Sequence, residues 1–372
     1  MKVFSIALSI FTVTTAFAQD KQLLPGKINA ATPVKSQGQT GTCWAFSTTS
    51  LLESETLRKG VSQIDLSEIF TVRNIYLEKA KNYVRRQGSA QFGEGGLGHD
   101  VIRAAGQYGL VPEQAYSGLK NSATKHDHAA MQTTMKHYLD SIIKIKAPIP
   151  DNWVEGFTAI MDSYIGQPPA SFTYDGKNYT PQTFAKEVVK FNPEDYVFLT
   201  SFTHHPFHQS FIVEVPDNFS NGAYYNVPLQ ELINITKSTL QKGYTIMWDA
   251  DVSNKGWSTN KGYAVFPPQD GSFQRDSITP DMKEAPYSQE LRQKLYEELL
   301  TQDDHLMHIT GIEQTKQGKP YFVVKNSWGT QSGPFNGYFN VSEAYFAINT
   351  ITIIVPKAAL DKDLQKKIAA AR

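Results

Sequence analysis

Cys43 is the single cysteine in a chain of 372 residues, and it lies between a glycine-containing turn and an apolar run. A thiol is a weak nucleophile until it becomes a thiolate, and a helix N-terminus or a neighbouring imidazolium favours that form. Because a helical pattern begins at residue 43, the position suits a thiol activated for covalent chemistry. An inert buried cysteine is the alternative interpretation, and position alone does not separate the two.

A base for this thiol has to come from the nine histidines of the chain. His305 and His308 enter a strand-like apolar run, and their odd spacing places them on opposite faces of a strand, so only one of them can serve Cys43. Three histidines in "THHPFHQ" would suit a metal, but no cysteine accompanies them and their spacing is not diagnostic. The sequence therefore predicts neither a metal site nor a cofactor. The histidines set aside are His126, His128 and His137 in a polar helical stretch and His204, His205 and His208 in the quoted segment.

Helices early in the chain and strands in its last third have to position these residues. Apolar spacing predicts the helices, and short β-branched or aromatic runs between turn residues predict the strands. Helices followed by strands favour an α+β protein with its cleft between a helical lobe and a sheet lobe. The helical patterns lie at residues 43–58, 67–86, 99–108 and 229–243 and again in the charged tail, and the strand-like segments lie mainly at residues 172–227 and 244–356.

Charge and composition exclude several classes of protein. The 36 Lys and Arg residues balance 36 Asp and Glu residues, so no net field attracts nucleic acid or an anionic membrane. Residues 1–18 combine Lys2, an apolar run and a small-residue site ending at Ala18, which predicts a signal peptide and an exported chain, periplasmic or secreted. No second long apolar stretch follows, so we expect no contact with a membrane after cleavage.

Three motifs in chain order resemble those of papain-like cysteine peptidases. "PVKSQGQTGTCWAFS" resembles the nucleophile motif, "DHLMHITG" the histidine strand and "YFVVKNSWGT" the asparagine turn. Middle segments such as "FTYDGKNYTPQTFAKEVV" and "YNVPLQELINITKSTLQKGYTIMWDADV" resemble the bleomycin hydrolase and aminopeptidase C branch. The resemblance implies an α+β, papain-like two-lobed fold, with a helical left lobe, an antiparallel sheet or barrel as the right lobe, and a long insertion.

The resemblance also implies boundaries along the chain. After removal of residues 1–18, one peptidase domain would cover residues 19–372. Its parts would be a helical lobe at about residues 33–118, an insertion at about 119–243, a sheet lobe at about 244–356 and a C-terminal tail at 357–372.

The resemblance implies a role for each matching residue. Cys43 would attack the scissile carbonyl, and His305 would pair with the thiolate and later protonate the leaving amine. Asn326 would orient the imidazole, and Trp328 would shelter that hydrogen bond from water. Gln37 lies six residues before Cys43, the family spacing for the side chain that joins the Cys43 backbone N–H in an oxyanion hole.

Gly95 and Gly96 match the family segment whose bare backbone hydrogen-bonds the substrate main chain. The resemblance therefore implies a cysteine aminopeptidase that hydrolyses peptides through a Cys-His-Asn triad and a thioester, and it implies a homo-oligomer, a hexamer in this branch. The branch fixes the substrate amine with its C-terminal carboxylate, whereas the basic ending "VPKAALDKDLQKKIAAAR" departs from that pattern. An endopeptidase with an ungated cleft, a catalytically silent peptide-binding protein and a thiol acyltransferase stay open as alternatives.

Overall fold

The computed structural model describes residues 22–371 of the chain, so the expected signal peptide lies outside the described residues. Within this range there are ten α-helices and thirteen β-strands. The helices are α1 (Cys43–Arg58), α2 (Glu68–Arg85), α3 (Gly98–Tyr108), α4 (Ala129–Lys144), α5 (Trp153–Ile165), α6 (Pro181–Glu187), α7 (Leu229–Gln241), α8 (Gln289–Glu297), α9 (Glu343–Asn349) and α10 (Lys362–Ala370). The strands are β1 (Leu24–Ile28), β2 (Phe172–Tyr174), β3 (Lys177–Tyr179), β4 (Tyr196–Thr200), β5 (Ser210–Ile212), β6 (Ala223–Asn226), β7 (Ile246–Ala250), β8 (Trp257–Ser258), β9 (Tyr263–Ala264), β10 (His305–Gln314), β11 (Pro320–Lys325), β12 (Tyr338–Ser342) and β13 (Thr350–Pro356).

One large sheet separates an apolar core under the early helices from another under α7 and α9. Among the described residues its order is β5-β6-β4-β13-β7-β10-β11-β12-β9-β8, and β1 pairs with β10 beside this path. Side chains alternate across β7, so Met247 packs with α1 and α3, whereas Ile246 and Trp248 pack with α7 and α9. The α+β architecture predicted from the order of helices and strands is confirmed.

Strand β10 is the element on which the site is built. It runs antiparallel to β7, which places Leu306 opposite Asp249. Strand β7 accompanies β10 only as far as Ile309, and β1 pairs with the strand beyond that point, where Ile28 lies opposite Gly311. The sequence did not predict β1, because its polar, proline-containing pattern lacks alternation, yet the strand satisfies backbone groups that β7 leaves without a partner.

The middle of the chain adds strands to this sheet and helices to its helical side. Strand β4 pairs with β13, β6 with β4, and β5 with β6. Helices α4 and α5 pack near α2, where Arg73 forms an ion pair of 2.6 Å with Asp162. Strands from both sides of residue 243 belong to this one sheet, so the sheet does not mark the expected boundary between insertion and sheet lobe. That boundary stays a prediction.

Helix α10 ends the described chain and packs on the core that holds α7. Leu364 and Ile368 are buried in that core, and Lys242 Nζ donates a hydrogen bond of 2.7 Å to the carbonyl oxygen of Ala359. The helix expected in the charged tail is therefore confirmed. Within residues 22–371, none of the helices combines the length and hydropathy that crossing a membrane requires.

Candidate active site

Cys43 is the first residue of α1, and its side chain faces β10. The residue is buried, with 8% of its surface exposed, and the backbone N–H of Leu306 donates a hydrogen bond to the sulfur. Thr42, at the N-cap position, makes no side-chain hydrogen bond to the first turn of the helix. The positive end of the helix dipole therefore acts on the sulfur without a side-chain cap in between.

His305 and Asn326 lie in direct contact, as the sequence predicted. The ring nitrogen Nε2 of His305 is 2.7 Å from Asn326 Oδ1, which also accepts a hydrogen bond of 2.7 Å from the N–H of Ser327. Since an amide oxygen only accepts, Nε2 carries the proton and Nδ1 keeps its lone pair. The indole of Trp328 stacks on the His305 ring, with ring centroids 4.7 Å apart. The ring is thus fixed on one side by Asn326 and on one face by Trp328.

Gln37 is held against the turn that carries Asn326. Its backbone N–H donates to the Ser327 carbonyl oxygen at 2.8 Å, and the Ser327 hydroxyl donates to Gln37 Oε1 at 2.7 Å. One hydrogen of the Gln37 amide donates to the Thr40 carbonyl oxygen at 2.6 Å. The amide nitrogen carries two hydrogens, so the second remains available for a ligand.

Gly95 and Gly96 lie beside the start of α1. A Cβ atom at residue 96 would be 3.1 Å from the indole of Trp44, the residue that follows Cys43. The same indole donates a hydrogen bond of 2.9 Å to the Glu94 carbonyl oxygen. On the other side, a Cβ atom at residue 95 would be 1.9 Å from Asp217 Oδ2, so only glycine fits between these two walls.

Burial governs the protonation of the thiol and the imidazole. Loss of water raises the pKa of Cys43 to about 12, although the hydrogen bond from Leu306 acts in the opposite direction. Burial lowers the pKa of His305 to about 4, against the effect of the bond to Asn326. Burial therefore disfavours the charged form of each group taken alone, the thiolate of Cys43 as well as the imidazolium of His305.

His308 lies on the opposite face of β10 from His305. Its Nδ1 is 2.9 Å from the hydroxyl of Ser50 on α1, and the ammonium of Lys325 donates to the same hydroxyl at 2.7 Å. Burial lowers the pKa of His308 well below its usual range, and the charge of Lys325 adds to the effect. The ring is therefore a neutral contact between the helical side and the sheet.

Three groups of the kind that bind metals meet elsewhere, at His204, His205 and Glu214. The two Nε2 atoms lie 3.1 Å and 2.8 Å from the Glu214 carboxylate. Gln293 donates to His204 Nδ1 at 2.9 Å, because its own oxygen already accepts from the N–H of Thr203. His204 Nε2 therefore carries a hydrogen towards Glu214, and the arrangement is a hydrogen-bonded cluster that offers no lone pair from that ring to a cation.

Sequence reasoning missed three carboxyl groups near the nucleophile: Asp303, Asp249 and Asp217. Each of them acts through its charge to raise the pKa of Cys43. They lie in separate segments, and the pairing of Leu306 with Asp249 brings two of those segments together. The signal available beforehand was an aspartate in the apolar run "TIMWDADV" and a second one two residues before His305.

Fold and site together define a class. The Peptidase C1-like family model matches residues 89–371, and the model of the papain family cysteine protease matches residues 24–149. The chain belongs to the Peptidase C1-like family and is a cysteine-type peptidase. Its relatives place it in the aminopeptidase C and bleomycin hydrolase branch, as the motifs predicted.

Relatives match along most of the chain. Aminopeptidase G of Lactobacillus delbrueckii subsp. lactis is 23% identical over 91% of this chain and 84% of that protein. Aminopeptidase C of the same organism is 24% identical over 90% and 81%, and mitochondrial Cysteine proteinase 1 of Saccharomyces cerevisiae is 22% identical over 92% and 78%. The crystal structure of PepW from Lactobacillus rhamnosis HN001 superposes with a TM-score of 0.74, at 19% identity, over 95% of this chain and 86% of that one, which supports the papain-like fold.

The predicted export is wrong by the same comparisons. The relatives are aminopeptidases of Lactobacillus and Listeria and a mitochondrial proteinase of yeast, and none of their names describes an exported protein. The prediction rested on the composition of residues 1–18 alone, which lie outside the described residues, so no contact in the structure supports it. A lysine followed by a short apolar run describes only the charge and hydropathy of a segment, and does not by itself establish that the protein is exported.

Proposed function

We propose that the chain is a cysteine aminopeptidase in which Cys43 is the nucleophile and His305 is the general base and acid. The observation that carries the proposal is the 2.7 Å bond from His305 to Asn326, since it leaves Nδ1 free to take a proton. The backbone N–H of Leu306, the residue that follows His305 on β10, donates a hydrogen bond to the Cys43 sulfur. These contacts supply a nucleophile, a base and a group that orients the base, which covalent catalysis requires.

The reaction follows from these atoms. The Cys43 proton passes to His305 Nδ1 as the sulfur bonds to the scissile carbonyl carbon, and the carbonyl oxygen becomes an oxyanion. The oxyanion accepts hydrogen bonds from the Cys43 N–H and from the second amide hydrogen of Gln37. His305 then gives its proton to the leaving amine, the C–N bond breaks, and a thioester remains. Water attacks the thioester carbon while His305 takes a proton from that water. The C–S bond then breaks, the carboxylic acid product leaves, and His305 returns the proton to the Cys43 sulfur.

Trp328 and the two glycines complete the proposed site. The indole stacked on His305 keeps water from its bond to Asn326, which preserves the orientation of the ring. Gly95 and Gly96 would hydrogen-bond the substrate backbone beside Trp44, where a side chain would block the approach. The aminopeptidase names of the relatives support action at a free amino end. Assembly into a homo-oligomer, a hexamer by resemblance, stays a prediction that sedimentation of the purified chain would measure.

One defined peptide, with a free and with an acetylated amino terminus, tests this proposal. Wild type should shorten the free peptide stepwise and leave the acetylated peptide intact in mass spectra. Cys43→Ala should lose more than about 1,000-fold in rate while its circular dichroism is unchanged. Ser54→Ala, further along the same helix, is the control and should retain its rate within about twofold.

Three results would decide against the proposal. Full activity in Cys43→Ala would exclude covalent catalysis by the thiol. Internal cleavage of the acetylated peptide would favour an endopeptidase with an ungated cleft. Absence of hydrolysis, with no labelling of Cys43 by iodoacetamide near pH 6, would favour a silent peptide-binding protein, and transfer to added amines in the product spectrum would identify an acyltransferase.

A further inference from the structure

Asp249 is an acidic side chain in a place that normally holds an apolar one. It lies on the face of β7 that carries Met247, within the core under the early helices, and none of its surface is exposed. In the sheet it sits opposite Leu306 on β10 and opposite Thr352 on β13. A carboxyl group in such a position is expected to have partners for both oxygens.

Asp249 has a donor for only one of its oxygens. Its Oδ2 accepts a hydrogen bond of 3.1 Å from the Thr352 hydroxyl, whereas Oδ1 is buried and finds no donor in residues 22–371. The other side chain that pairs with Asp249 is the carboxyl of Asp303, which is itself an acceptor. Two acceptors that face each other need a proton or a cation between them.

A third carboxyl group, Asp217, approaches from the loop between β5 and β6, residues 213–222, called the β5–β6 loop. Its carboxylate packs directly on Gly95, and Gln91 Nε2 donates to its Oδ1 at 3.2 Å. The nearest cation, the ammonium of Lys79, donates its hydrogen bond to the Gly95 carbonyl oxygen. The charge of Lys79 offsets part of the effect of burial on the pKa of Asp217.

The β5–β6 loop is built to hold Asp217 in place. The side chain of Asn218 donates to the carbonyl oxygens of Val213 and Gly222, at 2.9 Å and 3.0 Å, and so joins the two ends of the loop. Ser220 contacts His99 of α3 at 2.8 Å. A loop fixed in this way, standing over Gly95, forms a wall at one end of the proposed substrate groove.

The pKa values of the three carboxyl groups are all raised, so their charged forms are disfavoured. Burial raises the pKa of Asp303 to about 7, and the charge of Asp217 adds to the effect. Burial and the charge of Asp303 raise the pKa of Asp249 well above its usual range, and burial also raises that of Asp217. A cation placed among them would offset the repulsion and favour the ionised forms.

We propose that Asp249, Asp303 and Asp217 form a subsite that binds the free α-ammonium group of the peptide substrate. The inference rests on the proposed function and deepens it, since it supplies a selector for amino ends within the chain. Asp249 lies opposite the residue whose N–H contacts the nucleophile, so the ammonium it binds belongs close to the scissile carbonyl. Because Asp217 packs against Gly95, the β5–β6 loop would limit extension of the peptide beyond that ammonium.

The test compares amide substrates that differ only in charge next to the scissile bond. The substrates are leucine p-nitroanilide, its N-acetyl derivative, and acetyl-lysyl-leucine p-nitroanilide, which offers a side-chain ammonium in place of the α-ammonium. The variants are Asp249→Asn, which keeps the shape of the side chain, and Asp217→Asn, which changes a half-buried position on the loop. Asp276→Asn, an exposed acid outside the subsite, is the matched control.

Each variant of the subsite should lower kcat/KM for leucine p-nitroanilide by about 10- to 100-fold, as expected for a charged hydrogen bond. The rate of Cys43 alkylation by iodoacetamide should not fall in either variant, because the charges of Asp249 and Asp217 raise the pKa of the thiol. Asp276→Asn should match wild type on every substrate. Thermal melting of each variant shows whether it is folded, and Asp217→Asn keeps the test decisive if Asp249→Asn does not fold.

Two results would overturn the inference while the peptidase itself stands. One is an unchanged preference for the free amine over the acetylated substrate in both variants. The other is rapid cleavage of acetyl-lysyl-leucine p-nitroanilide by wild type that is lost in the variants, which would assign the subsite to a side-chain ammonium. A wild-type enzyme that hydrolyses none of these substrates and is not alkylated at Cys43 would instead reject the proposed function.

Discussion

In the proposed mechanism, the chemistry of single residues depends on a proton that passes from Cys43 to His305. Burial disfavours each charge taken alone, as the pKa of about 12 for the thiol and about 4 for the imidazole indicate. Transfer of the proton makes two opposite charges in a site of low polarity, where they attract strongly. The bond from His305 to Asn326 fixes the tautomer that can accept the proton, so orientation of the ring is as important as its basicity.

Replacing the two histidines of β10 separates a chemical role from a structural one. His305→Ala should lower kcat by about 100- to 10,000-fold, because the thiol loses its base. His308→Ala should retain most of the activity and lose about 1–3 kcal/mol of stability, because Ser50 and Lys325 would face a cavity in place of a partner. Steady-state kinetics and urea unfolding of both variants measure the two effects. The reverse ranking of activities would mean that the faces of β10 are assigned wrongly.

At the level of secondary structure, the site joins parts that are far apart in the sequence through two contacts. Helix α1 brings Cys43 to the edge of β10, and the ladder between β7 and β10 brings Asp249 to Leu306. Helix α10 packs on the core of α7, and Ile368 and Ala371 also line a cavity together with Ser220 and Gly222 of the β5–β6 loop. The proposed subsite assigns the selection of amino ends to Asp217 on this loop, whereas the resemblance to the branch assigns it to the tail.

Removal of residues 362–372 tests whether the loop or the tail selects amino ends. The truncated chain loses the burial of Leu364 and Ile368, worth about 1.5–3 kcal/mol for each side chain, and should melt at a lower temperature. Its preference for free over acetylated leucine p-nitroanilide should equal that of the full chain, whereas Asp217→Asn should lose the preference. New cleavage of the acetylated substrate after truncation would show that the tail restricts the cleft, as the resemblance to the branch implies.

For the molecule as a whole, the sequence predicted short local motifs, but it did not predict which distant residues the fold brings into contact. Cys43, His305 and Asn326 each lie in a short segment with its own pattern, and helix α1 begins where the apolar spacing begins. Asp217, Asp249 and Asp303 have no such pattern, because an isolated aspartate is ordinary in sequence and becomes unusual only when the fold brings it next to other carboxyl groups. Strand β1 was also missed, because its own residues lack alternation and its partner, β10, lies nearly three hundred residues away.

The proposed subsite should also lower the stability of the folded chain, because it buries acidic groups close together. The variant Asp303→Asn measures this loss of stability. The folded chain keeps a proton on Asp303 up to about pH 7, whereas the unfolded chain releases it near the ordinary value of 3.8. Between these values the folded state binds more protons than the unfolded state, so stability falls as the pH rises. Above about pH 7 the penalty is complete, and asparagine, which does not ionise, avoids it.

The variant should therefore melt higher than wild type at pH 8, by about 2–4 °C, and at the same temperature near pH 4. Asp276→Asn, the exposed control, should match wild type at both values. Addition of leucine amide, which carries an α-ammonium group, should raise the melting temperature of wild type at pH 8 and have less effect on Asp303→Asn, because a bound cation relieves the same repulsion that the substitution removes. A variant that melts below wild type at pH 8 would show that Asp303 stabilises the fold through contacts of its own, and the carboxyl groups would then be structural and not a site held open for an amino end.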